Sequence, residues 1–246
     1  MPEDERSPAT PDLTAEAWLA LLSEGEVELE GRMPWSSNAT FLVTVSSGEL
    51  RARAIYKPAK GERKLWDFPG GLCRREVAAY VASVSLGLDV VPETVLRSEA
   101  PYGEGSLQRF VDADYSQHYF SLMEDPARHH VLRRIAGFDL LVNNADRKGG
   151  HLLLDADGKI WGIDNGLCFH PRPKLRTVMW DFAGEQLPAD VVAACEAAIA
   201  GAADELAELL VPEECAAVWR RAELLLAEPV FPEPDLEDRP YPWPLV

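Results

Sequence analysis

Two aspartates carry the first chemical signal. Asp146 stands in the polar stretch "NNADRKGGH", residues 143–151, and Asp164 closes the run "HLLLDADGKIWGID", just ahead of Asn165-Gly166. Between them, Asp157-Gly158 is a hairpin-turn signal, and a hairpin brings its two ends together. Both carboxylates are therefore expected to face one site. One such acid can orient or deprotonate a hydroxyl while the other holds a hard cation against phosphate oxygens. Taken singly, each also reads as an ordinary turn or loop residue.

Two residues from earlier in the chain extend the set. Lys57 ends the apolar strand "RAIYKP", and Glu76 follows 19 residues later on a helix. A strand lysine steadied by a helix glutamate can be aimed at α- and β-phosphates. Alone, they would be a surface lysine and a solvated glutamate beside Arg75. The ordered combination Lys57, Glu76, Asp146, Asp164 is a rarer coincidence than any one member.

These residues need elements to hold them. Residues 1–11, rich in Pro, Glu, Asp and Ser, are expected to be disordered. Thr14 caps a short helix carrying Trp18, Leu19, Leu21 and Leu22, which Gly25 ends. "EVELEGR" alternates as a strand, and "TFLVTVSSGELRARAIYKP" reads as two strands joined at Ser46-Ser47-Gly48. Residues 71–86 place Cys73, Val77, Tyr80, Val81 and Val84 on one helical face. Short strands follow near Thr94–Arg97 and Ser106–Val111. Residues 126–142 set Val131, Ile135, Phe138 and Val142 on one face of a helix, and the chain is helical again after about residue 176. The Pro-rich tail, with Phe231, Tyr241 and Trp243, is expected to pack along the surface without regular structure. The pattern is α+β: a β-rich N-lobe with one main helix over 12–112, a mostly helical C-lobe with a β-hairpin over 113–228, and a tail over 229–246.

Composition excludes several partners. A net charge of −17, from 41 acidic and 24 basic residues, repels nucleic acid and anionic bilayers. The pairs Arg74-Arg75, Arg133-Arg134 and Arg220-Arg221 read as solvated helix faces, not as a basic patch. No nucleic-acid partner and no stable membrane association are expected. Four cysteines without a CxxC, an acidic N-terminus with no apolar core, and no run of membrane-spanning length point to a reduced, cytoplasmic setting.

With "ADRKGGH" and "GIDNGLCF" in place, the chain resembles the phosphatidylinositol 3-/4-kinase-like branch of the protein-kinase-like superfamily, over residues 25–185. That branch carries a D-R-H-x-x-N catalytic loop and an I-D-F-G metal motif. The resemblance implies a two-lobed protein-kinase-like fold and an ATP-dependent phosphotransferase using Mg2+ or Mn2+, with a hydroxyl acceptor on a protein or small molecule. By it, Asp146 is the catalytic acid, with Arg147 and His151 in the same loop; Arg147 taken alone reads as a salt bridge that holds the loop. Asp164 binds the metal, Lys57 anchors phosphate and Glu76 is its partner. "GRMPWSSNATF" takes the place of the phosphate-covering loop, offering Ser36, Ser37 and Asn38. "SLQRFV" takes the place of the adenine-meeting hinge, with Gln108, Arg109, Phe110 and Val111.

Two positions depart from the branch. His151 stands where its asparagine would be, and imidazole is a poor magnesium ligand. It is expected to contact phosphate, to bind a softer ion such as manganese beside Asp164, or to leave a single metal site. Asn165 replaces the aromatic after Asp164. These departures leave a second expectation, a nucleotide-binding pseudokinase acting as a regulatory or scaffolding module. A zinc site of His151, Cys168 and His170 has no common spacing behind it.

Overall fold

A computed structural model describes residues 11–34 and 38–246. The disorder expected over most of 1–11, and the phosphate-loop residues Ser36 and Ser37, lie outside the described residues. The chain forms two compact units. One comprises the residues up to Lys64 together with Glu93–Asp112, and the other Leu65–Pro92 together with Ala113–Val246.

The first unit is a five-stranded antiparallel sheet backed by a helix. Helix α1, Ala15–Glu24, starts where Thr14 Oγ1 accepts the Ala17 N–H at 3.3 Å. It ends at Gly25. Strands β1 (Glu26–Arg32), β2 (Phe41–Ser47), β3 (Leu50–Pro58), β4 (Thr94–Arg97) and β5 (Gly105–Arg109) lie in the order β1-β2-β3-β5-β4. Trp18, Leu21 and Leu22 of α1 pack on Val43, Val45, Ala52, Ala54, Tyr56 and Leu107. The burial of β3 alternates, with Ala52, Ala54, Tyr56 and Pro58 inward. Lys57 therefore projects from the face opposite this core. Exposed Glu26, Glu28 and Glu30 run along edge strand β1, where charge discourages pairing with another chain.

The second unit holds the remaining helices. Helix α2, Leu72–Ser85, was expected within the β-rich part; its contacts group it with the helical unit instead. Arg75 forms an ion pair with Glu214 near the start of the last long helix, and Ser83 Oγ accepts the N–H groups of Val90 and Val91 at 2.7 and 3.2 Å. The helix buries more than the expected face. Arg75, Glu76, Ala78, Ala79, Ala82 and Ser83 are buried too, while Val84 is 50% exposed. The reading of three arginine pairs as solvated faces is corrected accordingly. Arg75 is buried, Arg221 donates to Leu141 O at 2.6 Å, and Arg133 and Arg134 pair with Glu185 and Asp190 at 2.6 Å each. Arg74 and Arg220 keep more solvent.

Helix α3 (Tyr119–Leu122) is one turn long and leads to α4, His129–Val142. Leu132, Ile135, Phe138, Leu141 and Val142 of α4 are buried, and so is Asp139. The hairpin forms as expected from β6 (Leu152–Leu154) and β7 (Ile160–Gly162), with Gly158 at φ +83° in its turn. Helices α5 (Ala189–Ile199) and α6 (Pro212–Ala227) complete the unit. The tail does pack on it, though by an unexpected means. Phe231 is buried against Phe182, but Tyr241 and Trp243 are exposed. Beyond Phe231, Pro240 and Pro242 are buried, and Pro240 O accepts from Thr177 N and Trp180 Nε1, each at 3.0 Å.

Candidate active site

The loop after α4 is shaped by two asparagines. Asn143 takes the left-handed conformation, φ +56°, that ends the helix, a conformation asparagine tolerates. Its side chain donates to His170 O and Arg172 O and accepts from Lys174 N, so it ties the loop to the segment beyond Asp164. Asn144 Oδ1 accepts the Asp146 N–H at 2.9 Å. Ala145 N and Phe169 N donate to Leu167 O and Val142 O, lacing the two motif-bearing segments together.

Arg147 is the hub. Its guanidinium makes a bidentate pair with Asp139, 2.8 Å on each contact, and donates to Ile163 O and Asn165 Oδ1, each at 2.7 Å. Both side chains are essentially solvent-free. A Cβ on Gly162 would stand 3.2 Å from Arg147 Nη2, so the hairpin's last residue leaves room for the arginine. The sequence-based assignment of Arg147 to the catalytic set is corrected here. A group without solvent access cannot touch a substrate, and Arg147 acts by holding the loop that carries Asp146. Sequence reasoning overlooked Asp139; its signal was a carboxylate inside the apolar run "IAGFDLLV".

Asp146, His151 and Asp164 come together. His151 Nε2 lies 3.3 Å from Asp164 Oδ2, and Lys148 Nζ lies 3.0 Å from Asp146 Oδ2. Lys148 N approaches His151 Nδ1 at 3.5 Å, a long contact. Asp164 itself sits at φ +58°, a strained conformation for a non-glycine residue, with its carboxylate half exposed. Next to it, Asn165 is fully buried: its N–H donates to Glu76 Oε2 at 3.0 Å and its amide to Gly162 O at 3.1 Å. The replaced aromatic is thus a tie between Arg147 and Glu76 that fixes the backbone under Asp164. Glu76 supports the Asp164 segment, a role the sequence did not suggest. Lys148 was missed as well, its charge masked by the adjacent Arg147.

Burial pushes the Asp146 carboxyl up to about 6 from 3.8; Lys148 opposes this and the nearby Asp164 charge adds to it. Because the folded value is the higher one, the unfolded chain gives up this proton first as pH rises. The Asp146 contribution to stability therefore declines between about pH 4 and 6 and stays low above that window. Thermal melts of the wild type and Asp146→Asn across pH 4–8 check this: the variant should gain relative stability through the same interval. A gap between them that does not change with pH would contradict the assignment.

The other expected site residues are placed as follows. Lys57 lies in the first unit and Glu76 in the second. Asn38 Oδ1 accepts the Arg63 N–H at 2.9 Å and so pins its own loop. Gln108 donates to Thr94 Oγ1 at 2.9 Å, Arg109 pairs with Glu93 at 2.6 Å, and Phe110 lies under the Arg53 guanidinium. The N–H groups of Arg109 and Phe110 bond to Glu93 O and Arg53 O. Those two donors are used within the first unit, and Val111 is buried. The zinc alternative finds no support. Among the described residues no group of three or more His, Cys, Asp or Glu could hold a metal ion, and His170 Nδ1 instead accepts the Arg172 N–H.

No family model matches the chain. Among solved structures, hydra Fam20 with sugar superposes with a TM-score of 0.59 at 13% identity, covering 88% of each chain. The Golgi casein kinase with Mn/ADP bound gives 0.54 at 14% identity, over 89% of this chain and 76% of that one. Likeness at such identities is one of fold. An antiparallel sheet precedes a mostly helical part, in the protein-kinase-like manner. Phosphatidylinositol 4-kinase gamma 4 of Oryza sativa subsp. japonica is 28% identical over 180 residues, 58% of this chain but 31% of that protein. Protein Rv2133c of Mycobacterium tuberculosis (strain ATCC 25618 / H37Rv) is 40% identical over 266 residues, 92% of this chain and 94% of that protein. An α+β chain of protein-kinase-like fold, this protein belongs to the family of Protein Rv2133c.

Proposed function

We propose that this protein is an ATP-dependent phosphotransferase of the phosphatidylinositol 3-/4-kinase-like branch, moving the γ-phosphoryl group to a hydroxyl of a protein or small-molecule acceptor in the cytoplasm. The observation that carries the reading is the meeting of Asp146, Lys148, His151 and Asp164 over a buried Asp139–Arg147–Asn165–Glu76 network. Free cysteines agree with a reducing compartment. Among the described residues, no helix is long and apolar enough to cross a membrane.

The donor set fits a hard divalent cation. Asp164 offers a half-exposed carboxylate, and Mg2+ or Mn2+ is commonly held by one or two carboxylates together with phosphate oxygens. Such an ion would neutralise charge on the β- and γ-phosphates. His151, beside Asp164, suits manganese better than magnesium as a second ligand. The protein groups supply the rest. Asp146 orients the acceptor hydroxyl and takes its proton as the oxygen bonds to the γ-phosphorus and the bond to the β–γ bridging oxygen breaks, releasing ADP. Lys148 steadies the Asp146 carboxylate. Lys57 is the candidate phosphate anchor from the sheet, and Gln108, Arg109, Phe110 and Val111 form the candidate adenine-proximal segment. Catalysis of this kind comes from positioning and charge neutralisation.

The test is transfer from radiolabelled ATP, with Mg2+ and with Mn2+ in parallel, for wild type and Asp164→Asn. Transfer, autophosphorylation or hydrolysis by wild type, reduced by at least about 100-fold in the variant, is the expected result. Nucleotide-dependent stabilisation without any turnover in either metal would favour the second reading, a nucleotide-binding pseudokinase module. The observation behind that alternative is the His151 imidazole beside Asp164, where the branch has asparagine. No stabilisation by nucleotide at all would end both.

A further inference from the structure

Neither Gly149 nor Gly150 adopts a positive φ. What the missing side chain of Gly149 provides is room. A Cβ on Gly149 would stand 3.3 Å from Leu245 O, 3.3 Å from Phe120 Cε2 and 3.4 Å from Val246 Cγ2. One on Gly150 would meet Val246 Cγ1 at 3.8 Å. The Gly149 N–H donates to Leu245 O at 2.7 Å, at the short end of the ordinary backbone range. The tail reaches this point along a fixed course: Pro240 O is clamped by Thr177 N and Trp180 Nε1, and Pro242 is buried. Thr177 in turn bridges to Arg147, and Arg147 N donates to Arg176 O at 2.9 Å.

The loop bearing Asp146 is thus gripped on both sides. Ahead of Lys148, Asn144 Oδ1, Asp139 and Arg176 O hold Asp146 and Arg147. Just past Lys148, the tail holds Gly149. Lys148 lies between these grips, with its ammonium 3.0 Å from the Asp146 carboxylate. We infer that the C-terminal segment 240–246 is a positioning element of the catalytic loop, fixing Lys148 against Asp146 through the Gly149–Leu245 contact. The inference rests on the phosphotransferase reading for its catalytic meaning, but the docking is testable apart from it.

The experiment removes residues 241–246, leaving the Pro240 contacts in place, and also uses Gly149→Ala in the full and shortened chains. Amide hydrogen exchange at Gly149 reports docking without any need for activity. We expect exchange at Gly149 to accelerate at least about tenfold on truncation, while global unfolding shifts little because most removed side chains are exposed. In the ATP assay, kcat should fall about 10- to 100-fold with KM for ATP unchanged, the mark of misplacement and not of lost binding. Gly149→Ala should lower kcat in the full chain and add little in the shortened one, since both disturb one contact. Unaltered exchange at Gly149 would overturn the docking claim. A kcat that holds or rises on truncation, or losses that simply add, would overturn the positioning role. A full-length chain that turns over no ATP would instead count against the reading of Asp146.

Discussion

Asp146→Asn is expected to abolish phosphoryl transfer, by about 10²- to 10⁴-fold as for loss of a general base, while making the folded protein more stable at neutral pH. The opposite signs have one cause. Burial lifts the Asp146 carboxyl to about 6, so its ionised form is held at a cost in the folded state. A rise of about two units corresponds to on the order of 3 kcal/mol, an upper figure because the group keeps some solvent. An uncharged amide of the same shape escapes that cost but cannot take a proton. In the wild type the same ionisation should appear in the rate: kcat/KM climbs with pH through about 6 and levels above it. Chemical unfolding at pH 7 and a rate profile over pH 5–8 together decide the matter. A variant that loses stability and activity in parallel would mean that Asp146 is a structural residue after all.

The second large effect belongs to Arg147, with the priorities reversed. Arg147→Met should cost about 3–5 kcal/mol, the usual penalty for stranding one member of a buried ion pair. Asp139 would be left without its ion-pair partner in a solvent-free place, and Ile163 O and Asn165 Oδ1 would lose their donor. Against a typical total of about 5–15 kcal/mol, that is a large share. Arg147→Lys should recover little, because a single ammonium cannot span Asp139, Ile163 and Asn165 at once. The double variant Asp139→Leu/Arg147→Met should regain much of the stability, since no buried charge is left alone. It should stay inactive, because the hairpin end and the Asp146 loop are no longer tied. Urea midpoints for the three variants provide the check; an Arg147→Met protein as stable as wild type would show that Arg147 is not a hub.

Much of the architecture was legible in local patterns. The helix expected over 71–86 forms as Leu72–Ser85, Thr14 caps its helix, and Asp157-Gly158 turns the hairpin that separates the two acids. Periodicity and turn chemistry are short-range, so they survive without knowledge of the fold. What periodicity cannot show is how many sides of a helix are covered. Val84, counted toward the apolar face of α2, is half exposed, while Arg75 on the supposed wet face is buried, because its partner Glu214 comes from 139 residues away.

The sequence by itself determined the identities and order of the reactive groups: a lysine on a strand, a glutamate on a helix, and two aspartates bracketing a hairpin. Those are chemical facts about side chains, and a hairpin's closure follows from its own turn. Only the tertiary structure decided which of the polar residues keep solvent access around the Asp146 loop and which hold the scaffold. Arg147 and Glu76 went to the second class, and Lys148 joined the first, because desolvation and partner geometry, not residue type, settle whether a charge is spent inside the protein or left for chemistry.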